Sequence, residues 1–522
     1  MRRIFSLIVL IFLISATVDY AQPLTSTQID SLTERTLRAF DVPGIAVAVI
    51  KDGKIIHCVG YGVASLDTKQ KVNEHTRFGI ASNSKAFLAT TLGILVDEGK
   101  IKWDDKVRKY IPEFRLYNAY ATEEFNIRDM LTHRSGLGLG AGDLMLFPDS
   151  NDFKINDIIA GLACLKPVSS FRSKFDYNNN MYVLAGEIVA RVSGMSWDEF
   201  VESRILRPLG MNHSAACYER LKDKTNVASP HAFSDGKLVV VPRDNFKLGH
   251  SAGGMVASAA DLCKWVQLLL NHGKYVDEKG DSVQLISKEA LDEMWASQIA
   301  LPVKSPGAYN THFSGYGFGF AVSDVKGYKQ AGHTGGLAGM VTQITLIPEL
   351  NLGIIVLTNQ QAGPAFTSIT NQIKDGYLGI TGTDRVKENL EQYRKKMDNG
   401  HHIADSVWKD AAKIKANGKL PIKTEDYTGS YTDPWFGEMN LTMKDGLFWI
   451  AAKRSYRLHG ELYYYKGNTF LVKWTDNSMD ADAYVNFTLD ESGKAKGFTM
   501  KPISPLTDFS FDFQDLSFLR KK

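Results

Sequence analysis

The strong strand patterns of this chain stand far apart in the sequence, and that separation constrains the fold more than any other feature. The stretch "GIAVAVIKDGKIIHCVGYG", from Gly44 to Gly62, reads as two apolar strands around a tight Asp52-Gly53 turn. Strand patterns then return only after about residue 310, as "YGFGFAVSD", "YKQAGH", "MVTQITLIP" and "LGIIVLTNQ", the last two joined by "ELN". Between them lie helical patterns broken by Gly and Pro. An amphipathic helix, "TSTQIDSLTERTLRAF", with Ser26 or Thr27 near its cap, precedes the first strands, and another, "PAFTSITNQIKDGYL", follows the last. Strands at both ends with helices between imply one antiparallel sheet assembled from the two ends. The middle forms a helical lobe beside it, an α+β architecture. Clefts commonly lie where such lobes meet.

A charged helical segment, from about Asp384 to Lys415, leads to a second composition. From "YTGSYTDPWFGEM" onward, short aromatic strands alternate with the turns "KDG", "YKGN", "TDN" and "DESGK". That pattern predicts a small antiparallel all-β domain, a barrel or a sandwich. Its run "ELYYYKG" reads as aromatic core rather than a ligand platform. The expected organisation is a leader over 1–21, an α+β domain over 22–383, a helical linker over 384–419 and a β domain over 420–522.

The leader is of a third kind. Arg2 and Arg3 precede the apolar run "IFSLIVLIFLISATV", shorter than the roughly 20 residues of a spanning helix. Small residues and a cleavage point after Ala21 follow, the pattern of a secretory signal peptide. The expectation is export to the periplasm or beyond the cell, with no stable membrane insertion after cleavage. A formal charge of +3 over 522 residues, with no basic cluster, argues against a nucleic-acid partner. Cys58, Cys164, Cys217 and Cys263 are scattered without a CxxC pair and read as buried free thiols, in a compartment that would permit a disulfide.

Chemistry enters at "FGIASNSKAFL", where Ser82 stands three residues before Lys85. Ser-x-x-Lys also occurs at Ser234, Ser323 and Ser406, but the first two lie in turns and the third opens a charged, surface-like helix. Only Ser82 begins a largely apolar helix, "SKAFLATTLGILVDEG", which ought to be buried. A lysine in the first turn of a buried helix loses solvation and meets the positive helix end. Both lower its pKa and favour the neutral amine. A serine there sits beside unpaired backbone N–H groups that can stabilise an oxyanion, whereas spacing alone favours a plain helix cap beside a solvated lysine. Two more motifs fall where the lobes should meet: Tyr177-Asn178-Asn179 before an apolar helical pattern, and His333-Thr334-Gly335-Gly336 at a strand end.

With these motifs in this order the chain resembles the penicillin-recognising serine hydrolases, closest to the class C β-lactamase and D-alanyl-D-alanine carboxypeptidase branch. The stretches "EGKIKWDDKVRKYIPEF", "IRDMLTHRSGLG", "ILRPLGMNHS" and "GGMVASAADLCKW" carry the same likeness, over roughly residues 27 to 380. The terminal β domain resembles a module of unassigned role on some of these hydrolases. The resemblance implies a covalent acyl-enzyme. Ser82 would be the nucleophile, and Lys85 and Tyr177 would share its proton, with the first acceptor left open. A phenol titrates near 10, so Tyr177 acts as a base only where cations such as Lys85 or His333 favour the phenolate. Asn179 would hold Lys85 and a substrate amide, and the N–H groups of Ser82 and Gly336 would form the oxyanion hole. Thr334 and Gly335 complete the strand motif. No cofactor and no metal are implied.

The departure is His333, where such enzymes carry Lys-Thr-Gly and a permanent cation for the substrate carboxylate. Histidine titrates near 6.5. That weakens the case for penicillin hydrolysis and suits esters, amides or D-amino-acid peptides, small molecules or short peptides that include cell-wall fragments. A true β-lactamase and a binding protein with little chemistry are the alternatives. A metallohydrolase is poorly supported: the 12 histidines show no HExxH or HxH spacing. The β domain is expected to pack near the cleft mouth and limit substrate size.

Overall fold

The computed structural model describes residues 22–234, 236–416 and 422–521. The leader expected over 1–21 lies outside them, and among the described residues no helix is long and apolar enough to cross a membrane.

The two ends of the hydrolase-like region do build one antiparallel sheet. Its strands are β1 (Gly44–Lys51), β2 (Lys54–Gly62), β3 (Ile299–Leu301), β4 (Ser314–Tyr316), β5 (Ala321–Val325), β6 (Tyr328–Leu337), β7 (Met340–Ile347) and β8 (Leu352–Thr358). Across the sheet they run β2-β1-β8-β7-β6-β5-β4-β3. The junction of the two ends is β1 against β8, in register from Ile45 opposite Thr358 to Lys51 opposite Leu352. Ile45, Val47 and Val49 face helices α1 (Ser26–Ala39) and α5 (Gly363–Tyr377), meeting Ile29, Leu32, Ile369 and Ile373. Ala46, Ala48 and Ile50 face the other way, into the core that holds Phe87 and Trp265. Both faces of β1 are therefore covered, which is why its sequence is a continuous apolar run rather than an alternation.

Helix α2 (Ser84–Asp97) passes through the middle of the molecule, buried on every side from Ser84 to Leu95. Phe87 stacks on Trp265 of α4 (Ala259–Leu270) at 4.0 Å between ring centroids. Helix α3 (Asn179–Ser193) packs across α2 from the helical lobe. The cap of α1 is Thr25, one residue ahead of the expected Ser26 or Thr27: Thr25 is extended and exchanges capping-box hydrogen bonds with Gln28. The thiols are free, but only Cys217 and Cys263 are buried. Cys58 is half-buried, and Cys164 is exposed at the end of a short helix.

Beyond α6 (Arg385–Ala416), eight antiparallel strands between Gly429 and Arg520 close into a barrel, each paired with the next and the first with the last through Tyr431 opposite Arg520. Aromatic edges fill it, among them Tyr431, Phe470, Phe487 and Phe498. The "ELYYYKG" run packs in both directions. Tyr464 meets Phe470 of the core, while Tyr463 meets Trp408 on α6. The barrel is tied to the hydrolase-like region by Arg454 to Asp152 and Asp157, each at 2.7 Å, and by Arg457 to Asp244 at 2.9 Å.

Candidate active site

Ser82 stands on a single turn of 3-10 helix, Ala81–Asn83, and α2 begins only at Ser84. It is thus just ahead of the α-helix rather than at its first residue. The cause is the backbone at Ala81, held at φ 49, a left-handed conformation unfavourable for a residue with a Cβ. The turn is fastened from the sheet: Thr342 Oγ1 donates to the Ile80 carbonyl at 2.9 Å and accepts from Asn83 Nδ2 at 2.9 Å.

Lys85 is fully buried, with Nζ 3.0 Å from Ser82 Oγ, 2.8 Å from Asn179 Oδ1 and 2.7 Å from the Ala252 carbonyl. Two of these partners can only accept. They take the two N–H groups of a neutral amine and leave its lone pair facing the serine hydroxyl. Burial, partly opposed by the charge of Asp143, brings the amine down to about 7. Asn179 is oriented from behind, its Nδ2 donating to Asp143 Oδ2 at 2.7 Å. Burial pushes the Asp143 carboxyl up to about 7.

Tyr177 lies beside this pair, with Lys85 Nζ 4.8 Å from its ring centre. Its hydroxyl is buried, and no protein group meets it with full hydrogen-bond geometry. Burial pushes the phenol well above its usual range, and the neighbouring Ser82 hydroxyl counters this only in part. The cations that would favour a phenolate are weakened: the Lys85 amine is brought down to about 7, and His333 is uncharged. Burial and the nearby Lys85 bring His333 down to about 3. Its Nδ1 is 2.5 Å from the Thr334 carbonyl, which can only accept, so Nδ1 carries the proton. Nε2 then accepts from Tyr316 Oη at 2.9 Å.

The His333-Thr334-Gly335-Gly336 motif lies within β6 rather than at its end. A Cβ on Gly335 would stand 2.3 Å from the Ile80 carbonyl oxygen and 2.9 Å from Ala81 Cβ, so only glycine lets this strand lie against the serine turn. Gly336 and Thr334 are exposed on the strand.

Several residues at the site carried no assignment from sequence. His133, inside the quoted "IRDMLTHRSGLG", is fully buried with its ring 4.4 Å from that of Tyr177. Its Nδ1 accepts from the Asn178 backbone N–H at 3.1 Å, and burial, with Lys85 and His333 nearby, keeps it neutral. Asp129 receives Arg134 at 2.6 Å and Arg172 at 2.7 Å, which locks the loops that present His133 and Tyr177. Phe509 and Ser510 come from the barrel domain. Phe509 stands edge-on to Tyr177 at 5.8 Å, and Ser510 Oγ donates to Asp143 Oδ2 at 3.0 Å. Only the stretch around His133 offered a signal, since nothing local ties residue 510 to residue 143. Away from the site, Asp198, Cys217 and His250 bring metal-capable atoms together. Against its burial, His250 is pushed up to about 10 by Asp198 at 2.9 Å and by Cys217, so an imidazolium–carboxylate pair accounts for that cluster.

Family comparisons divide the chain as the geometry does. The family described as Beta-lactamase matches residues 29–376, and a domain of unknown function, DUF3471, matches 415–520. The unguisins hydrolase ungD' of Aspergillus campestris (strain IBT 28561) is 26% identical over 451 residues, covering 82% of this chain and 80% of that protein. Protein flp of Staphylococcus aureus (strain MW2) is 27% identical over 334 residues, 64% of this chain and 62% of that protein. The octameric penicillin-binding protein homologue from Pyrococcus abyssi shares the fold, with a TM-score of 0.60 at 23% identity over 95% of this chain and all of that one. With the family match spanning more than half of its length, the chain belongs to the Beta-lactamase family of serine hydrolases and carries an added C-terminal β-barrel.

Proposed function

We propose that this protein is an exported serine hydrolase that cleaves esters or amides of small molecules or short peptides, cell-wall fragments and D-amino-acid peptides included, through an acyl-enzyme on Ser82. The observation that carries this reading is the 3.0 Å contact between Ser82 Oγ and a fully buried Lys85 whose other two contacts are acceptors. Lys85 is then the first proton acceptor. As Ser82 Oγ bonds to the substrate carbonyl carbon, its proton passes to Lys85 Nζ. The neutral Tyr177 hydroxyl relays a proton from Lys85 to the leaving oxygen or nitrogen as that bond breaks. The N–H groups of Ser82 and Gly336 receive the oxyanion, a contribution of about a hundredfold or more in turnover for each such donor. Asn179 holds Lys85 and meets the substrate amide. Water then attacks the ester carbonyl and gives its proton to the Tyr177–Lys85 pair, which passes it to Ser82 Oγ as the acyl bond breaks and the acid product leaves.

Selectivity follows from His333. A neutral imidazole whose two nitrogens are already engaged offers no cation to a substrate carboxylate. Neutral esters and amides are favoured over penicillins, and the rings of Tyr177, Tyr316 and Phe509 beside the site suit apolar groups. The relative named as an unguisins hydrolase supports hydrolysis as the reaction class. The test is a panel of short-chain nitrophenyl esters, D-amino-acid p-nitroanilides and nitrocefin, run on wild type and Ser82→Ala. Turnover of esters or anilides above nitrocefin, abolished in Ser82→Ala, is expected. Equal turnover by the variant would overturn the assignment of the nucleophile.

A further inference from the structure

We propose that the barrel domain is a working part of this site: its loop supplies Ser510 as a positioning residue that acts on Lys85 through Asp143 and Asn179. The path is a continuous set of hydrogen bonds. Ser510 Oγ donates to Asp143 Oδ2 at 3.0 Å, and Asn179 Nδ2 donates to the same oxygen at 2.7 Å. Asn179 Oδ1 accepts from Lys85 Nζ at 2.8 Å, and Lys85 meets Ser82 at 3.0 Å. Ser510, Asp143, Asn179 and Lys85 are all buried.

The chemistry of an amide makes the far end matter. Asn179 holds Lys85 only while its oxygen faces the amine, and the side chain is nearly symmetric in shape. What fixes its orientation is a partner behind it that accepts from Nδ2. A carboxylate does so. A protonated carboxyl also donates, which permits the flipped amide that would turn N–H groups toward Lys85. Asp143 is enclosed and has one oxygen, Oδ1, without a partner. Its charge is favoured by the two donors at Oδ2 and by nearby Lys85, and one of those donors belongs to the other domain. The groups facing Asp143 are Lys85, Asn179 and Ser510, with the carboxyls of Asp508 and Asp512. Those around Lys85 are Ser82, Asn179, Tyr177 and Tyr182, with Asp143 acting through its charge and the neutral His133 and His333 nearby.

The loop is built to hold this place. Asp512 accepts from the backbone N–H groups of Gly142 and Leu144, at 2.6 and 3.0 Å, gripping the residues on both sides of Asp143. A Cβ on Gly400 of α6 would come within 2.4 Å of Leu506, so helix and loop are in direct contact. Phe509 closes on Tyr177.

The inference rests on Lys85 being the base of the acyl-transfer reading, and full-length variants test the two separately. Loss of the Ser510 donor favours protonated Asp143, which removes negative charge near Lys85 and loosens Asn179. In Ser510→Ala, the pH-independent plateau of kcat/KM on a nitrophenyl ester should fall about tenfold, the scale of one hydrogen bond to a charged group. Its acid limb should move to lower pH, and Ser510→Thr should restore both. Spectra of ¹³Cε-labelled lysine, with Lys85 assigned through Lys85→Arg, should show Lys85 titrating at lower pH in Ser510→Ala whether or not Ser82 is the nucleophile. If Ser510→Ala does not fold, Asp143→Asn carries the same expectation. A Lys85 titration unchanged in these variants overturns the inference. Ester turnover that persists in Ser82→Ala would instead overturn the acyl-transfer reading alone.

Discussion

At Lys85 one buried amine has three polar partners, and its proton count decides what Ser82 can do. In the acyl transfer proposed here the reactive form is the neutral amine, and burial brings its titration from the usual lysine range down to about 7. The sign follows: above that pH the lone pair is free to take the serine proton, and below it the ammonium blocks attack. The kcat/KM profile on a neutral ester should therefore show an acid limb near pH 7, falling about tenfold per unit below it. His333 gives a second prediction. His333→Lys places a cation beside the cleft and beside Lys85. Turnover of the carboxylate-bearing nitrocefin should rise relative to an ester, and the acid limb should move to lower pH because like charge disfavours the ammonium. Competing-substrate kinetics on the variant checks both. The sequence singled out Ser82, Lys85, Tyr177, Asn179 and His333 because each sits in a short motif with local spacing, and the fold brings these residues together. The proposed choice of Lys85 over Tyr177 as base was not legible there, because it rests on burial and on which atoms face Nζ.

At the scale of elements, the site is a contact between a strained turn and a strand that has no side chain at the point of contact, Gly335. Gly335→Ala should force β6 off the turn that bears Ser82, since its Cβ would stand 2.3 Å from a backbone oxygen. A loss of about 1–3 kcal/mol is expected, read by urea denaturation, together with a fall in ester turnover larger than any rise in KM. The strands and the buried helix could be read from their apolar runs, and the joining of the first strands to the later ones followed from strand patterns standing on both sides of a helical stretch. The positions of caps and turns were less legible. The left-handed Ala81 has no sequence signature, so the short 3-10 turn before α2 went unseen.

At the scale of the whole molecule, the barrel is placed by ion pairs at Arg454 and Arg457 and by the loop that enters the site. Phe509 remains 38% exposed while standing edge-on to Tyr177, so it lies where the site meets solvent. Phe509→Ala should raise kcat/KM for bulky acyl esters relative to acetyl esters several-fold and leave the acid limb in place. A specificity ratio equal to that of wild type would show that the barrel does not limit substrate size. The alternating strand-and-turn composition announced a β domain, and its closure into a barrel was one of two readings. Its reach into the hydrolase site was invisible, because the contact joins residues more than 360 positions apart.

The central claim is that the hydroxyl at position 82 is activated by the amine at 85, and mapping a covalent adduct tests it most directly. Wild type, Ser82→Ala and Lys85→Ala would be treated with a fluorophosphonate over a range of pH, digested and sequenced by mass spectrometry. The expected result is one adduct, on Ser82, forming faster above pH 7, absent from Ser82→Ala and slowed at least a hundredfold in Lys85→Ala. An adduct on another serine, or a rate at Ser82 that ignores the loss of Lys85, would contradict it.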